Sequence, residues 1–334
     1  MSLPDNYTSL LHQITTTFTS GRKMALRSVR RQLVITYWSI GKHIVEFEQG
    51  GKEKAEYGSK VLNRLSRDLS DQLGRGFSRT NLISMRLCYI QYPDISLLSD
   101  QLTWGHIVEL LYIDNIHERN FYEKQTINEG WTIRELKRQK KSSLYLRLIA
   151  NKGKKEVMNL TKEGRKITSP SDLIPDPFIF EFLKIPEPYY LSEKDLESRL
   201  INNLQSFLLE LGKGFALVGR QYRITISNQH YYVDLVFYHR FLRCFVLIDL
   251  KIKNVRHQDI GQMNMYLGYF AKEEFFEGDN PPVGIILTRQ KDELLVEYAT
   301  YGLSSQLFVS KYQLYLPNEE ELRVQLEKAL TEEE

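Results

Sequence analysis

Apolar positions return at helical spacing through most of the first 150 residues, then give way to short β-type runs beyond about residue 215. One helical period holds from Tyr7 to Glu48, with Trp38, Ile40, Ile44 and Val45 near its end, before Gln49-Gly-Gly51. A second helix is predicted over 58–73, where Val61, Leu62, Leu65 and Leu69 share a face. Gly74-Arg-Gly-Phe77 then makes a tight turn, Ser78 supplies an N-cap for a third helix through about Tyr92, and Pro93 closes it. Thr103 caps a helix through Ile113, and Thr132 one through about Ile149. Residues 151–177 read as a linker, Lys-rich at first and then punctuated by Pro170, Pro175 and Pro177. Ser192 and Asp195 form a capping pair for a helix to Leu211. Strands are expected at about 215–226, 231–239 and 243–250, a helix at about 256–272, a strand at 283–288, and further short α/β elements. The order α-β-β-β-α-β predicts an α/β domain over 178–334, behind a mainly α domain over 1–150. The acidic tail 331–334 is expected to be frayed.

Within the predicted strands three polar residues break the apolar pattern. Two β-branched and aromatic runs flank Arg240-Phe-Leu-Arg243, the only plausible turn between them. With those four residues as the loop, His239 faces Cys244, and the same register sets Asp234 directly opposite Asp249, Cβ atoms about 5 Å apart. Lys251, two residues on, points to the same face. Two carboxylates and an ammonium on an apolar sheet are costly unless something binds them. A hard divalent cation, Mg²⁺ or Mn²⁺, fits this donor set. The Leu250 backbone carbonyl is a further candidate ligand, and Lys251 a group to orient or deprotonate an attacking water or stabilise a phosphate. The bland alternative is a strand-edge acid beside a surface Asp-x-Lys ion pair.

Two more residues join the array with less force. Glu197 heads a stripe of Ile201, Leu204 and Leu208 that should pack on the sheet, which would carry Glu197 to the sheet edge near the carboxylates. It reads equally as a first-turn acid favoured by the helix dipole. Gln262, followed one turn later by Tyr266, could hydrogen-bond a ligand or serve as an interior amide.

Charge changes the picture of the front half. Residues 1–150 carry 22 Lys+Arg against 15 Asp+Glu, residues 151–170 carry 6 against 2, and residues 171–334 carry 17 against 25. A basic front half suggests a polyanion partner, or merely solvated helix faces. Helices 58–73 and 78–92 with their Gly-rich turn fit a helix-turn-helix. Arg79, Thr80, Asn81, Ser84 and Arg86 would then lie on or near the exposed face of the second helix, with Arg75 on phosphate and Leu82, Ile83 and Leu87 inward. A plain helical hairpin fits the same pattern. Arg22–Arg31 and Lys137–Lys141 are further basic stretches. Two cysteines, Cys88 and Cys244, make no disulfide framework and no metal spacing, so a reducing cytoplasm is expected. Neither a membrane span nor a signal peptide is indicated.

With Asp-x(n)-Asp-x-Lys on an α-β-β-β-α-β order, the back half resembles the PD-(D/E)xK nuclease superfamily. More closely, VDLVFYHRFLRCFVLIDLK…GQMNMYL and the upstream LELGKGFALVGRQY resemble the bacterial YhcG-like (DUF1016) proteins, as do YWSIGKHIVEFEQGG, LGRGFSRTNL and LTWGHIVEL in the front half. The resemblance implies a restriction-endonuclease-like core, a winged-helix-like front domain, and a metal-dependent DNA endonuclease acting in repair, recombination or defence against foreign DNA. By motif Asp234 matches the first acid, Asp249 the second, Lys251 the lysine and Glu197 the helix acid. Arg220, Gln221 and Tyr266 join the front-half residues as expected DNA contacts. Two departures stand out: Val233 replaces the usual Pro, and Asp249 the commoner Glu, shortening the reach by one methylene. The rival reading is a catalytically silent nuclease fold that binds DNA or organises a complex. RNA fits less well, since no aromatic stacking motif of the RNA-recognition type is present. Double-strand cutting with one active site per chain would favour a homodimer, and restriction or defence-system proteins are the expected partners.

Overall fold

No proline interrupts the chain between Asp5 and Gly50, and this span forms one helix, α1. The structure, a computed structural model, describes residues 5–50, 56–149, 154–165, 167–174, 177–185, 192–303 and 305–316, with Glu320 and Val324. The tail 331–334, Gly51 and parts of the expected linker lie outside the described residues. The chain divides into two compact units, Met1–Leu136 and Lys137–Glu334.

In the front unit α1 is followed by α2 (Glu56–Leu73) and α3 (Arg79–Gln91), which opens on the Ser78 side chain accepting from Asn81 N–H. Ile44, Leu62, Leu82 and Met85 form the core between them. Gly41 is required there, because a Cβ would overlap the Met85 carbonyl where α1 crosses α3. Thr103 opens α4 (Trp104–Leu111), its N–H donating to His106 Nδ1 at 3.2 Å. The helix α5 (Ile116–Glu129), capped by Asn115 and ended by Gly130 at φ +69°, was not anticipated. The described residues before Phe178 are helical as expected and contain no strand, so no wing is present among them.

The helix expected over 132–149 is two helices, α6 (Ile133–Lys141) and α7 (Leu144–Ile149), broken where Ser143 takes φ +51°. The segment expected as linker contains α8 (Lys154–Glu163). Beyond it come β1 (Phe178–Ile179), α9 (Glu193–Asn202) and α10 (Leu204–Leu211), the last two replacing one expected helix with a break at Asn203. Ser192 and Asp195 cap α9 reciprocally as expected.

The remaining strands are β2 (Phe215–Ile226), β3 (Gln229–His239), β4 (Cys244–Asn254), β5 (Val283–Gln290) and β6 (Gln306–Gln313). Helices α11 (His257–Glu273) and α12 (Glu293–Thr300) connect the parallel ones. The mixed six-stranded sheet runs β1-β6-β5-β4-β3-β2, antiparallel through β2, β3 and β4 and parallel from β4 outward. Leu196, Leu200, Phe207 and Leu211 of α9 and α10 pack on Leu235, Phe237, Ile248 and Leu250 on one face. On the other, Ile260, Met263, Leu267 and Phe270 of α11 pack on Val236, Leu247 and Ile286. Coverage on both faces explains why β5 reads as a continuous apolar run. Gly284 lets α11 approach, since a Cβ there would sit 2.8 Å from Met263 Cγ. Among the described residues no helix is long and apolar enough to cross a membrane.

One buried ion cluster ties the start of this unit to its sheet. Glu210, 2% exposed, accepts from Arg147 Nη1 at 2.8 Å, Arg138 Nη1 at 2.9 Å and the Ile179 N–H at 2.8 Å. Burial pushes its carboxyl upward, but the two guanidiniums outweigh burial and hold it below the ordinary 4.5. Removing one member leaves a buried charge uncompensated, so Glu210→Gln should cost about 3–5 kcal/mol in urea unfolding. The contribution of Glu210 stands above the ordinary carboxylate value and is lost only as pH falls through the depressed native one. A variant as stable as the wild type at neutral pH contradicts this.

Candidate active site

The β3–β4 ladder pairs His239 with Cys244 and Leu235 with Ile248, the register read from the sequence. Asp234 and Asp249 are the next pair, just beyond the last laddered residues. There the strands part, and Asp234 Oδ2 accepts the Leu250 N–H at 2.8 Å in place of a backbone carbonyl. A strand residue directs its N–H and C=O toward the same neighbour. The Leu250 carbonyl therefore faces the β3 side where Asp234 lies.

Asp249 is 4% exposed. Burial raises its carboxyl well above the usual carboxylate range, and the nearby Asp234 charge adds to the rise. Lys251 Nζ opposes both effects from 2.7 Å away. Glu193 and Asp259 stand farther from the ammonium, each at 3.9 Å. Burial pulls the Lys251 ammonium down, but its acidic neighbours, Asp249 foremost, more than restore it and leave it firmly charged.

Glu197 reaches this edge from α9 and is 1% exposed. Burial raises its carboxyl, and its Oε1 has no hydrogen-bond partner, with Arg220 Nε 3.4 Å away. Gln221 joins the two acids: its Nε2 donates to Glu197 Oε2 at 2.6 Å and to Asp234 Oδ1 at 2.9 Å. Its backbone is left-handed at φ +44°, a strained state for a non-glycine residue within a strand. The sequence reading set Gln221 against DNA, whereas here its amide is spent on the carboxylates. The missed signal was Ser227-Asn228, both at positive φ in a two-residue turn that fixes Ile226 against Gln229. That register sets Gln221 opposite Asp234.

Tyr266 is fully buried, its hydroxyl donating to the Tyr232 carbonyl at 3.1 Å and accepting from the Gln262 amide. It therefore does not face DNA; with Gln262 it props the β3 backbone two residues from Asp234. Burial pushes its phenol up to about 12, with the Asp249 charge adding to the rise.

In the front unit, Arg75, Arg79 and Thr80 are exposed as expected. Two others are engaged structurally. Asn81 accepts from Trp104 Nε1 at 2.8 Å and donates to the Gly76 carbonyl at 2.6 Å, while Arg86 Nε pairs with Glu48 at 2.6 Å. Ser84, expected near the exposed face, is buried on the Thr80 carbonyl and Tyr112 hydroxyl. Cys88 and Cys244 are buried, and burial pushes their thiols up to about 12 and about 11, so neither is a ready nucleophile.

The donors at the site are hard carboxylate and carbonyl oxygens, and the Glu197 Oε1 is a further acceptor without a hydrogen-bond partner. This chemistry fits Mg²⁺ or Mn²⁺. Among the described residues no three His, Cys, Asp or Glu side chains are grouped closely enough to hold an ion as they lie. The Gln221 amide stands between Glu197 and Asp234, and Lys251 sits on Asp249.

Comparison with known proteins bears on this geometry. Residues 171–327 match the family model described as the YhcG PDDEXK nuclease domain, and residues 13–147 the DUF1016 N-terminal domain. An Escherichia coli (strain K12) protein named "Putative nuclease YhcG" is 37% identical over 92% of this chain and 90% of its own length. Among solved structures, a repair endonuclease from Pyrococcus abyssi aligns with TM-score 0.27 and 19% identity, over 40% of this chain and 50% of that one. The apo form of EndoMS aligns with TM-score 0.25 and 14% identity, over 39% and 49%.

The electrostatics of the site can be read directly. Asp249 should titrate above the ordinary carboxylate range in ¹³C NMR of the metal-free protein, and Lys251→Met should raise it further by removing the cation 2.7 Å away. An Asp249 resonance that titrates alike in both proteins contradicts the arrangement.

Proposed function

The chain belongs to the YhcG family, and from that premise we propose that it is a divalent-metal-dependent DNA endonuclease whose back half hydrolyses phosphodiester bonds. The observation that carries the reading is a buried carboxylate, Asp249, held between a second carboxylate and an ammonium at the parted end of a hairpin. Asp234, Asp249 and the Leu250 carbonyl are the groups to hold the cation, with Glu197 close by. When bound, such a cation supplies charge neutralisation at the phosphate and a more acidic water.

The protein's own groups do the rest. Lys251 stays protonated among its acidic neighbours, which suits it to donate to a non-bridging phosphate oxygen as negative charge builds, rather than to accept the water's proton. Gln221 fixes the spacing of Glu197 and Asp234, and Gln262 with Tyr266 fixes the strand that bears Asp234. In the front half, exposed Arg75, Arg79 and Thr80 at the α2–α3 turn are offered as the DNA-positioning surface.

A second reading, a silent nuclease fold that binds DNA, is favoured by the way Lys251 and Gln221 already occupy carboxylate oxygens.

Plasmid nicking with Mg²⁺ or Mn²⁺ separates the two. The wild type should nick, and Asp234→Ala, Asp249→Ala and Lys251→Ala should each slow nicking by about 10²-fold or more. Mn²⁺ should also raise the wild-type melting temperature. Nicking that survives Asp234→Ala and Lys251→Ala refutes the assignment. DNA binding without nicking or metal stabilisation favours the silent fold.

A further inference from the structure

Beyond Lys251 the carboxyl ends of β4 and β5 carry a second group of cations that the carboxylate array does not use. A cleft of about 400 Å³ lies there, lined by Lys253, Asn254, Arg256, Arg289 and Gln290 over Ile252. Three of the residues lining it, Lys253, Arg256 and Arg289, are cationic and none is acidic. The surrounding segment, 171–334, is acidic, with 17 Lys+Arg against 25 Asp+Glu. A cationic cleft in an acidic domain is therefore a local feature and not a consequence of overall charge.

Its construction is specific. The β4–β5 register shifts between Lys251 and Asn254, an irregularity of the kind that redirects side chains at the rim of a sheet. Thr288, wholly buried, anchors both strand ends, its hydroxyl lying 2.5 Å from the Lys253 carbonyl and 2.9 Å from the Gln290 carbonyl. The cleft opens where ligands bind on sheets of this type, outside the carboxyl ends of parallel strands. Lys253 follows Lys251 by two residues, about 7 Å along the strand. An anion in the cleft thus sits beside the group that meets the reacting phosphate.

We propose that the cleft of Lys253, Arg256 and Arg289 is a phosphate subsite, seating a backbone phosphate of the polynucleotide strand next to the one being cut. The proposal rests on the nuclease reading of the neighbouring carboxylates, and it is tested by binding without cleavage.

The full chain in EDTA is titrated with a fluorescent duplex across a range of KCl, reading anisotropy. Lys253→Ala/Arg289→Ala should weaken binding about 10-fold at fixed salt and lower the slope of log K against log salt by about 1. Lys253→Arg/Arg289→Lys should restore both, which separates lost charge from misfolding. Arg240→Ala/Arg243→Ala removes the same charge at the opposite end of the β3–β4 hairpin and should leave the slope unchanged. An unchanged slope in the cleft variant, or an equal fall in the hairpin-loop variant, overturns the subsite. Thermal stabilisation by inorganic phosphate alone, lost in the cleft variant while DNA binding persists, marks a free-anion site and also overturns it. If the wild type nicks plasmid yet the cleft variant binds DNA like the wild type, only the subsite fails. If the wild type neither nicks nor binds DNA, the nuclease reading fails and the subsite with it.

Discussion

Holding the Asp249 carboxylate inside a sheet of Val, Leu and Ile is the constraint around which the back half is arranged. Desolvating such a group costs several kcal/mol, and an isolated carboxylate responds by taking up a proton. Lys251 at 2.7 Å offsets part of that cost, while Asp234 adds to it. The hairpin therefore brings together a second acid that makes the first harder to ionise. Stability alone does not require this; an apolar pair would pack as well. A buried acid whose pKa is raised by a neighbouring charge is characteristic of sites where chemistry is performed.

The three-layer packing sets the positions of the supporting groups. Because α9 buries Leu196 and Leu200 against one sheet face, Glu197 between them is carried to the sheet edge and desolvated there. Because α11 lies against the other face, tightly over Gly284, Gln262 and Tyr266 meet the β3 backbone at Tyr232. Gln221 spans the edge between Glu197 and Asp234 at the expense of a left-handed backbone. The Glu210–Arg138–Arg147 cluster stabilises the unit away from this edge, so charge is buried for structural and for chemical ends in one domain.

Much of this was legible in the chain. The hairpin register followed from counting outward from Arg240–Arg243, and the Ser192–Asp195 capping pair and the Ser78 cap are where their side chains predicted. Where the reading fell short, tertiary context decided. Helix α5 buries Glu118, Arg119, Glu123 and Gln125, so its inward face looks polar and its apolar period is faint. The breaks at Ser143 and Asn203 fall inside runs with good helical spacing, and backbone turning there serves packing that no local pattern records. Tyr266 looked like a surface aromatic because helical phase does not say which side of α11 the sheet covers. Gln221 was named without its role, which depends on a strand crossing set by a distant two-residue turn.

The central claim is that Asp234 and Asp249 exist to hold a divalent cation. Crystals soaked in Mn²⁺ and measured at the manganese absorption edge test it most directly. The account predicts an anomalous peak within about 2.3 Å of oxygens from both aspartates, absent in Asp249→Ala. A well-ordered wild-type site without that peak, with Gln221 and Lys251 still on the carboxylates, would contradict it.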